Sequence, residues 1–261
     1  MRRFENEVVR VAFSGTEEMH SSILRLSRLI GDFPSILRPF RGADEGVRDI
    51  LSSQGFRLYP TVKKTTLFHD PSTDCFFKIL HPLSLKHRFS FLVTDRAGHV
   101  RDISEQLLSK GVKTAKVAAY GFLRKGRRPF FAVRRVEGES LYDILIRGNR
   151  NITMSEYRKV IEEISRLHSL GYWFGDAHLS HIFIKDGEVS GIIDIDGIRK
   201  NRPFMIRNLA KDIAGFNHPG IPLTGDEKKS LFEYYADMQQ IENRGKFLQT
   251  VKYYTERRWK D

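Results

Sequence analysis

Cysteine is nearly missing from this chain. Cys75 is the only one in 261 residues, so there is no intramolecular disulfide and no thiolate metal cluster. Such usage fits a reducing compartment. Long apolar runs are missing too, since no stretch approaches the roughly 20 residues that span a bilayer. The opening Met1-Arg2-Arg3-Phe4-Glu5-Asn6-Glu7 has two basic residues but no apolar segment behind them, which argues against a secretory signal. There are no internal repeats, no low-complexity tracts, and no Gly-x-Gly-x-x-Gly ahead of Lys78. The expectation is a cytoplasmic protein, with peripheral contact at the inner face of the membrane left open.

Negative charge is in short supply. Against 44 Lys and Arg there are 32 Asp and Glu, a net charge of +12. Such an excess implies an anionic partner: a nucleotide, a nucleic acid or an anionic membrane surface. The plain alternative is a solvated basic face. No nucleic-acid recognition motif is present, which makes nucleic acid the weakest of the three. Apolar residues make up 40% of the chain, enough for a real core, and the length suits one large domain or two lobes sharing a cleft.

Periodicity divides the chain. Met19, Ile23, Leu26 and Ile30 recur at helical spacing and stop at Gly31-Asp32-Phe33-Pro34. A second short helix carries Val47, Ile50 and Leu51 and ends at Gly55. Residues 1–55 therefore read as a helical extension. Strands follow at Arg57–Thr61, Lys64–His69 and Asp74–Leu80, with Asp70-Pro71-Ser72-Thr73 as a turn. A helix is expected over 98–110, then a hairpin of Val117–Arg124 and Pro129–Val136. Beyond Gly138 come a short helix at Ser140–Ile146 and a Gly148-Asn149-Arg150-Asn151 loop. A capping box of Thr153 with Glu156 then opens a long helix with Tyr157, Val160, Ile161, Ile164 and Leu167 on its buried face. Thr224 with Glu227 opens another, and a final helix carries Phe247, Leu248, Val251 and Tyr254.

The densest chemistry lies in Gly175-Asp176-Ala177-His178-Leu179-Ser180-His181, followed by Ile192-Ile193-Asp194-Ile195-Asp196-Gly197. One acid precedes an apolar strand and a second ends the next. Their spacing of eighteen residues leaves room for a hairpin through Lys185-Asp186-Gly187-Glu188, which brings the acids near each other. One can take a proton from a hydroxyl while the other holds a divalent metal on nucleotide phosphates, the working pair of a kinase-type phosphotransferase. Lys78 sits among Phe76, Phe77, Ile79 and Leu80, where a charge is costly unless paired. Nucleotide phosphates would pair it, and the alternative is an edge-strand lysine facing solvent.

The ordered set Lys78, Asp176, His181, Asp194 and Asp212 resembles the protein-kinase-like fold, and more narrowly the lipopolysaccharide core kinases, the Kdo and heptose kinases of Gram-negative bacteria. His181 stands five residues after Asp176, where most kinases have Asn and this family tends to have His. Lys63-Lys64-Thr65-Thr66-Leu67-Phe68 with Phe76-Phe77-Lys78 looks like the nucleotide-loop hairpin and its strand lysine. Arg207-Asn208-Leu209-Ala210-Lys211-Asp212-Ile213-Ala214 looks like the helix after the metal acid. The likeness covers roughly 56–216. It implies an α+β, two-lobed fold: a small antiparallel β-rich lobe over 56–137 and a helical lobe over 138–261, preceded by the extension at 1–55. Phe174 replaces the His of His-x-Asp, and Asp196 replaces the Gly of Asp-Phe-Gly.

The same resemblance implies an enzyme, a kinase moving the γ-phosphate of ATP to a sugar hydroxyl, with the lipopolysaccharide inner core (Kdo or heptose) as the expected acceptor. Asp176 would be catalytic. Lys78, Lys64 and His178 would contact the nucleotide. Asp194, His181 and Asp196 would attend the metal, Mg²⁺ or Mn²⁺. Mg²⁺ prefers oxygen to imidazole, so Asp196 would supply the missing oxygen if the strand continues past Asp194 and the two share a face. Asp212 would brace the catalytic loop. Asp102 and Glu105 are both open as the acidic partner of Lys78. Backbone near Arg134-Arg135-Val136-Glu137 would meet adenine. Arg199, Lys200, Arg202 and Arg207 would face an anionic sugar acceptor, or form a solvated loop. The competing readings are a catalytically silent nucleotide-binding module and a kinase for another small-molecule or protein hydroxyl.

Overall fold

In Val9-Arg10-Val11-Ala12-Phe13 the Val and Phe side chains are buried while Arg10 is exposed, the period-two pattern of a strand with one face in a core. The computed structural model describes residues 1–37, 45–59, 64–148, 150–201 and 205–260. Its chain divides into two units, one of 1–105 with 116–135 and one of 106–115 with 136–261.

Unit 1 runs β1 (Arg2–Glu5), β2 (Val9–Phe13), α1 (Glu17–Asp32), α2 (Glu45–Ser53), β3 (Arg57–Tyr59), β4 (Thr65–Asp70), β5 (Cys75–Leu80), α3 (Leu85–Val93), α4 (Arg96–Ser109, whose last turn belongs to unit 2), β6 (Val117–Leu123) and β7 (Arg128–Arg134). The strands form one antiparallel sheet in the order β1-β2-β6-β7-β5-β4-β3. The expected strand at Arg57–Thr61 is described as far as Tyr59, and its last two residues lie outside the described ones.

The helical extension expected over 1–55 is corrected here. Its first residues are the β1–β2 hairpin, which joins the sheet through β6. Helix α1 puts Met19, Ile23, Leu26 and Ile30 into the same core as Phe56, Phe68, Phe77 and Phe130, each contributing about 1.5–3 kcal/mol of burial. Arg25 on α1 donates to Asp70 Oδ2 at 2.7 Å, and the Asp70 side chain is fully buried. Burial alone would raise the Asp70 pKa, but hydrogen bonds from Ser72 and the charge of Arg25 outweigh it and hold the carboxyl below its usual value. The segment is therefore a structural part of unit 1.

Unit 2 runs β8 (Glu139–Ser140), a π turn at Asp143–Arg147, α5 (Met154–Ser169), β9 (Tyr172–Trp173), β10 (Ile182–Lys185), β11 (Glu188–Ile192), β12 (Arg199–Lys200), α6 (Ile206–Phe216), α7 (Gly225–Met238) and α8 (Arg244–Arg258). The short helix expected at Ser140–Ile146 forms: Ser140 pairs with β10, and the chain is helical from Leu141, continuing as a π helix over Asp143–Arg147. Both capping boxes form, at Thr153–Glu156 and Thr224–Glu227. Helix α5 buries Tyr157, Val160, Ile161, Ile164 and Leu167 and packs on α7, while α6 packs on α8. Among the described residues no helix is long and apolar enough to cross a membrane.

Candidate active site

Helix α5 ends where Gly171 turns the chain with φ +76°, a conformation that costs glycine little. The chain passes through β9 to Phe174 and Gly175. Gly175 has φ +77°, and a Cβ there would lie 2.8 Å from the Gly197 carbonyl oxygen. The loop carrying Asp176 and the turn after Asp194 thus meet backbone to backbone. The Asp176 side chain is 68% exposed, and its Oδ1 accepts from Arg258 Nη2 at 2.9 Å. Arg258 comes from the last turn of α8.

Buried polar groups fix this loop from behind. Asp212 on α6 is 2% exposed. Its Oδ2 accepts from the Phe174 backbone N–H at 2.6 Å and lies 3.1 Å from His168 Nε2. His168 Nδ1 lies 2.6 Å from the Tyr235 hydroxyl. Burial, with Asp212 nearby, pushes the Tyr235 pKa well above its ordinary value, so it stays a neutral hydroxyl. Phe174 has no imidazole to support the loop. His168, reaching over from α5, forms that polar backing together with Asp212.

His178 opens a short 3₁₀ turn, Leu179–His181. Its Nδ1 accepts from the Ser180 backbone N–H at 3.2 Å, which leaves the proton of the neutral ring on Nε2. Burial, then His181 and Arg258, lower the His178 pKa. The ring is neutral at pH 7 and can donate one hydrogen bond but carries no charge. His181 is half-buried, and its ring centroid lies 5.8 Å from that of His178.

Strand β11 ends at Ile192, and the Ile193 N–H donates to the His181 carbonyl at 2.9 Å. This bond ties the His181 turn to the segment bearing Asp194. Asp194 itself is left-handed, with φ 62° and ψ 42°, a conformation costing about 1–3 kcal/mol in a residue other than glycine and tolerated best by Asn and Asp. The strand does not continue beyond it. Asp196 lies in a 3₁₀ turn, Ile195–Gly197, so the expectation that Asp196 and Asp194 share a strand face is corrected. Among the described residues no three carboxylate, imidazole or thiolate groups gather as a ready metal cage. Mg²⁺ in phosphotransfer sites is held by one or two carboxylates, with the remaining positions taken by phosphate and water. The half-buried Asp194 and Asp196 are hard oxygen donors of that kind.

A cleft of about 420 Å³ adjoins the Asp176 loop. It is lined by Gly175, by Arg207, Lys211 and Asp212 of α6, and by Tyr254, Arg257 and Arg258 from α8. Arg207 donates to the Tyr254 hydroxyl, and the Arg207 and Lys211 cations lie over its ring at 5.6 and 5.4 Å. Among the described members of the basic cluster expected to face an acceptor, only Arg207 lines this cleft. Arg199 and Lys200 form β12, paired with Trp173 and Tyr172, and Arg202 lies outside the described residues. Tyr254, Arg257 and Arg258 were missed because helix packing brings them in from more than seventy residues beyond Asp176, and Lys211 because it enters only as the next turn of α6 after Arg207.

In unit 1, Lys78 is half-buried on β5, opposite Leu67 of β4 and Phe131 of β7. Lys64 is exposed just before β4, and its carbonyl accepts from the His81 N–H at 2.8 Å. His81 is buried between Thr66 Oγ1 and Arg128 Nη1, each at 2.7 Å. Burial, with the Arg128 charge, lowers its pKa to about 4. Arg101 holds both Asp102 and Glu105, at 3.1 and 3.0 Å. The chain leaves unit 1 between Arg135 and Val136, within the segment expected to meet adenine.

No family model and no curated protein matches the chain. Among solved structures it is similar to a co-crystal structure of WbdD with the kinase inhibitor LY294002, at TM-score 0.50 and 13% identity over 78% of this chain and 47% of that one. It also aligns with a crystal structure of monomeric WbdD, at TM-score 0.48 and 15% identity over 73% and 45% of the two chains. The corresponding figures for a structure of the bifunctional kinase-methyltransferase WbdD are 0.45, 13%, 73% and 48%. The chain spans about half the length of these structures. Its antiparallel sheet in one unit, mainly helical second unit and first likeness together show an α+β, two-lobed, protein-kinase-like fold.

Proposed function

We propose that the chain is an ATP-dependent phosphotransferase that moves the γ-phosphate to a sugar hydroxyl of an anionic acceptor, of the kind found in the lipopolysaccharide inner core (Kdo or heptose). The observation that carries this reading is Asp176. It is solvent-accessible, held on a loop braced by Asp212 and His168, and placed beside a cleft lined by four cations.

Asp176 orients the acceptor hydroxyl and takes its proton late, as the acceptor oxygen bonds to phosphorus and the bond from phosphorus to the departing diphosphate breaks. Lys78 and Lys64 contact the nucleotide phosphates. His178 donates from Nε2–H as a neutral group. Asp194 holds the metal, with Asp196 and His181 beside it. When bound, Mg²⁺ or Mn²⁺ offsets charge on the phosphates. Arg207, Lys211 and Arg257, which line the cleft, offer charge to phosphate or carboxylate groups on the acceptor. The site of action in this reading is the cytoplasm, at the inner face of the membrane.

One observation favours a second reading, a silent kinase-like module that binds nucleotide without turnover. Arg258 already occupies Asp176. The two readings separate when the full chain is incubated with ATP, Mg²⁺ or Mn²⁺ and dephosphorylated inner-core oligosaccharide. Phosphorus NMR of a phosphorylated sugar product supports transfer. Nucleotide-dependent thermal stabilisation without product supports the silent module.

A further inference from the structure

Helix α3 is built to be a helix but not to join the core. Ser84 caps its start by accepting from the His87 N–H at 3.2 Å, and the Thr94 N–H closes its end on the Ser90 carbonyl. Phe91 is its only buried residue. Leu85, Phe89 and Val93 are 79%, 72% and 74% exposed, with Leu92 and the neighbouring Leu83 at 51%. At 3.6 residues per turn, Leu85, Phe89, Leu92 and Val93 share one arc of about 100°, nearly opposite Phe91. Lys86 borders one edge of that arc and Arg88 the other.

An apolar stripe edged by cations is the pattern of a helix lying in a membrane interface. The aliphatic stems of Lys86 and Arg88 can run along the apolar surface while their charges reach the lipid phosphates. The stripe is convex, which suits a fluid apolar phase. The net charge of +12 adds long-range attraction to an anionic surface. A second copy of the chain fits less well, because a twofold contact through this stripe brings cationic edges of two copies together.

We propose that α3 docks the protein on an anionic phospholipid surface, with Leu85, Phe89, Leu92 and Val93 in the acyl boundary and Lys86 and Arg88 at the phosphate level. The proposal does not depend on the catalytic reading. Its test is co-sedimentation of the full chain with vesicles of phosphatidylcholine, alone or mixed with phosphatidylglycerol. The wild type sediments with the mixed vesicles and weakly with the neutral ones. Phe89→Ser with Leu92→Ser, at unchanged melting temperature, weakens binding by about tenfold or more, since each tenfold is only 1.4 kcal/mol. Lys86→Gln with Arg88→Gln removes the preference for anionic vesicles. If the serine variant does not fold, Phe89→Trp decides: brominated acyl chains quench the fluorescence it adds over the wild type. Absence of wild-type sedimentation, equal binding by a folded serine variant, an unquenched Trp, or a solution dimer that the serine variant turns monomeric would each overturn it.

Discussion

The two units hold their candidate functional residues by different means. In unit 1, Lys78 lies on β5, with β4 on one side and β7 on the other. Its place is set by a ladder and by the aromatic core beneath it. In unit 2, Asp176 and Asp194 lie on turns. They are held by a left-handed residue, a glycine contact and a buried chain of Asp212, His168 and Tyr235. A residue on an inner strand moves only when packing fails. A residue on such turns moves when one buried hydrogen bond is lost, so stability and activity should separate in unit 1 and travel together in unit 2.

The largest effect expected is chemical. Asp176→Asn should lower transfer by about 10³-fold while nucleotide-dependent thermal stabilisation persists; loss of both would mean the loop itself had collapsed. Next comes the brace of unit 1. Arg25→Ala leaves a buried carboxylate and should cost about 3 kcal/mol in urea unfolding, with turnover at low temperature kept. A matching fall in turnover would break the contrast between the units.

Acid should act on unit 1 to a similar extent. The His81 pKa is about 4 in the fold against an ordinary 6.5, so between those values the unfolded chain binds more protons. Stability therefore falls as pH drops from 6.5 to 4, by about 3 kcal/mol in all. The midpoint of urea unfolding against pH reads this, and His81→Gln should flatten the slope. In unit 2, Asp212→Asn should cost about 2 kcal/mol and lower turnover as well, and turnover unaffected at that cost would remove Asp212 from its positioning role. Tyr235→Phe, which breaks only the far end of the chain, should cost about 1 kcal/mol in the same urea titration.

What could be read from the sequence follows the same division. The β3–β5 and β6–β7 strands and the α5 and α7 capping boxes declare themselves by local pattern. The β1–β2 hairpin was missed although Val9, Val11 and Phe13 alternate, because its partner β6 lies more than a hundred residues away. Helix α3 was missed because its apolar residues face outward and mimic no core. The acids were visible by order and spacing along the chain. His168, Arg257 and Arg258 were not, since an imidazole inside an amphipathic helix and basic residues near a terminus carry no sign of what tertiary packing sets beside them.

The most direct test of the account is γ-phosphate transfer from ATP to an inner-core sugar by the wild-type chain beside Asp176→Asn, both shown to be folded. The account predicts transfer by the wild type that the variant loses. Wild-type transfer that Asp176→Asn retains in full, or none with any metal or acceptor of this class, would contradict it.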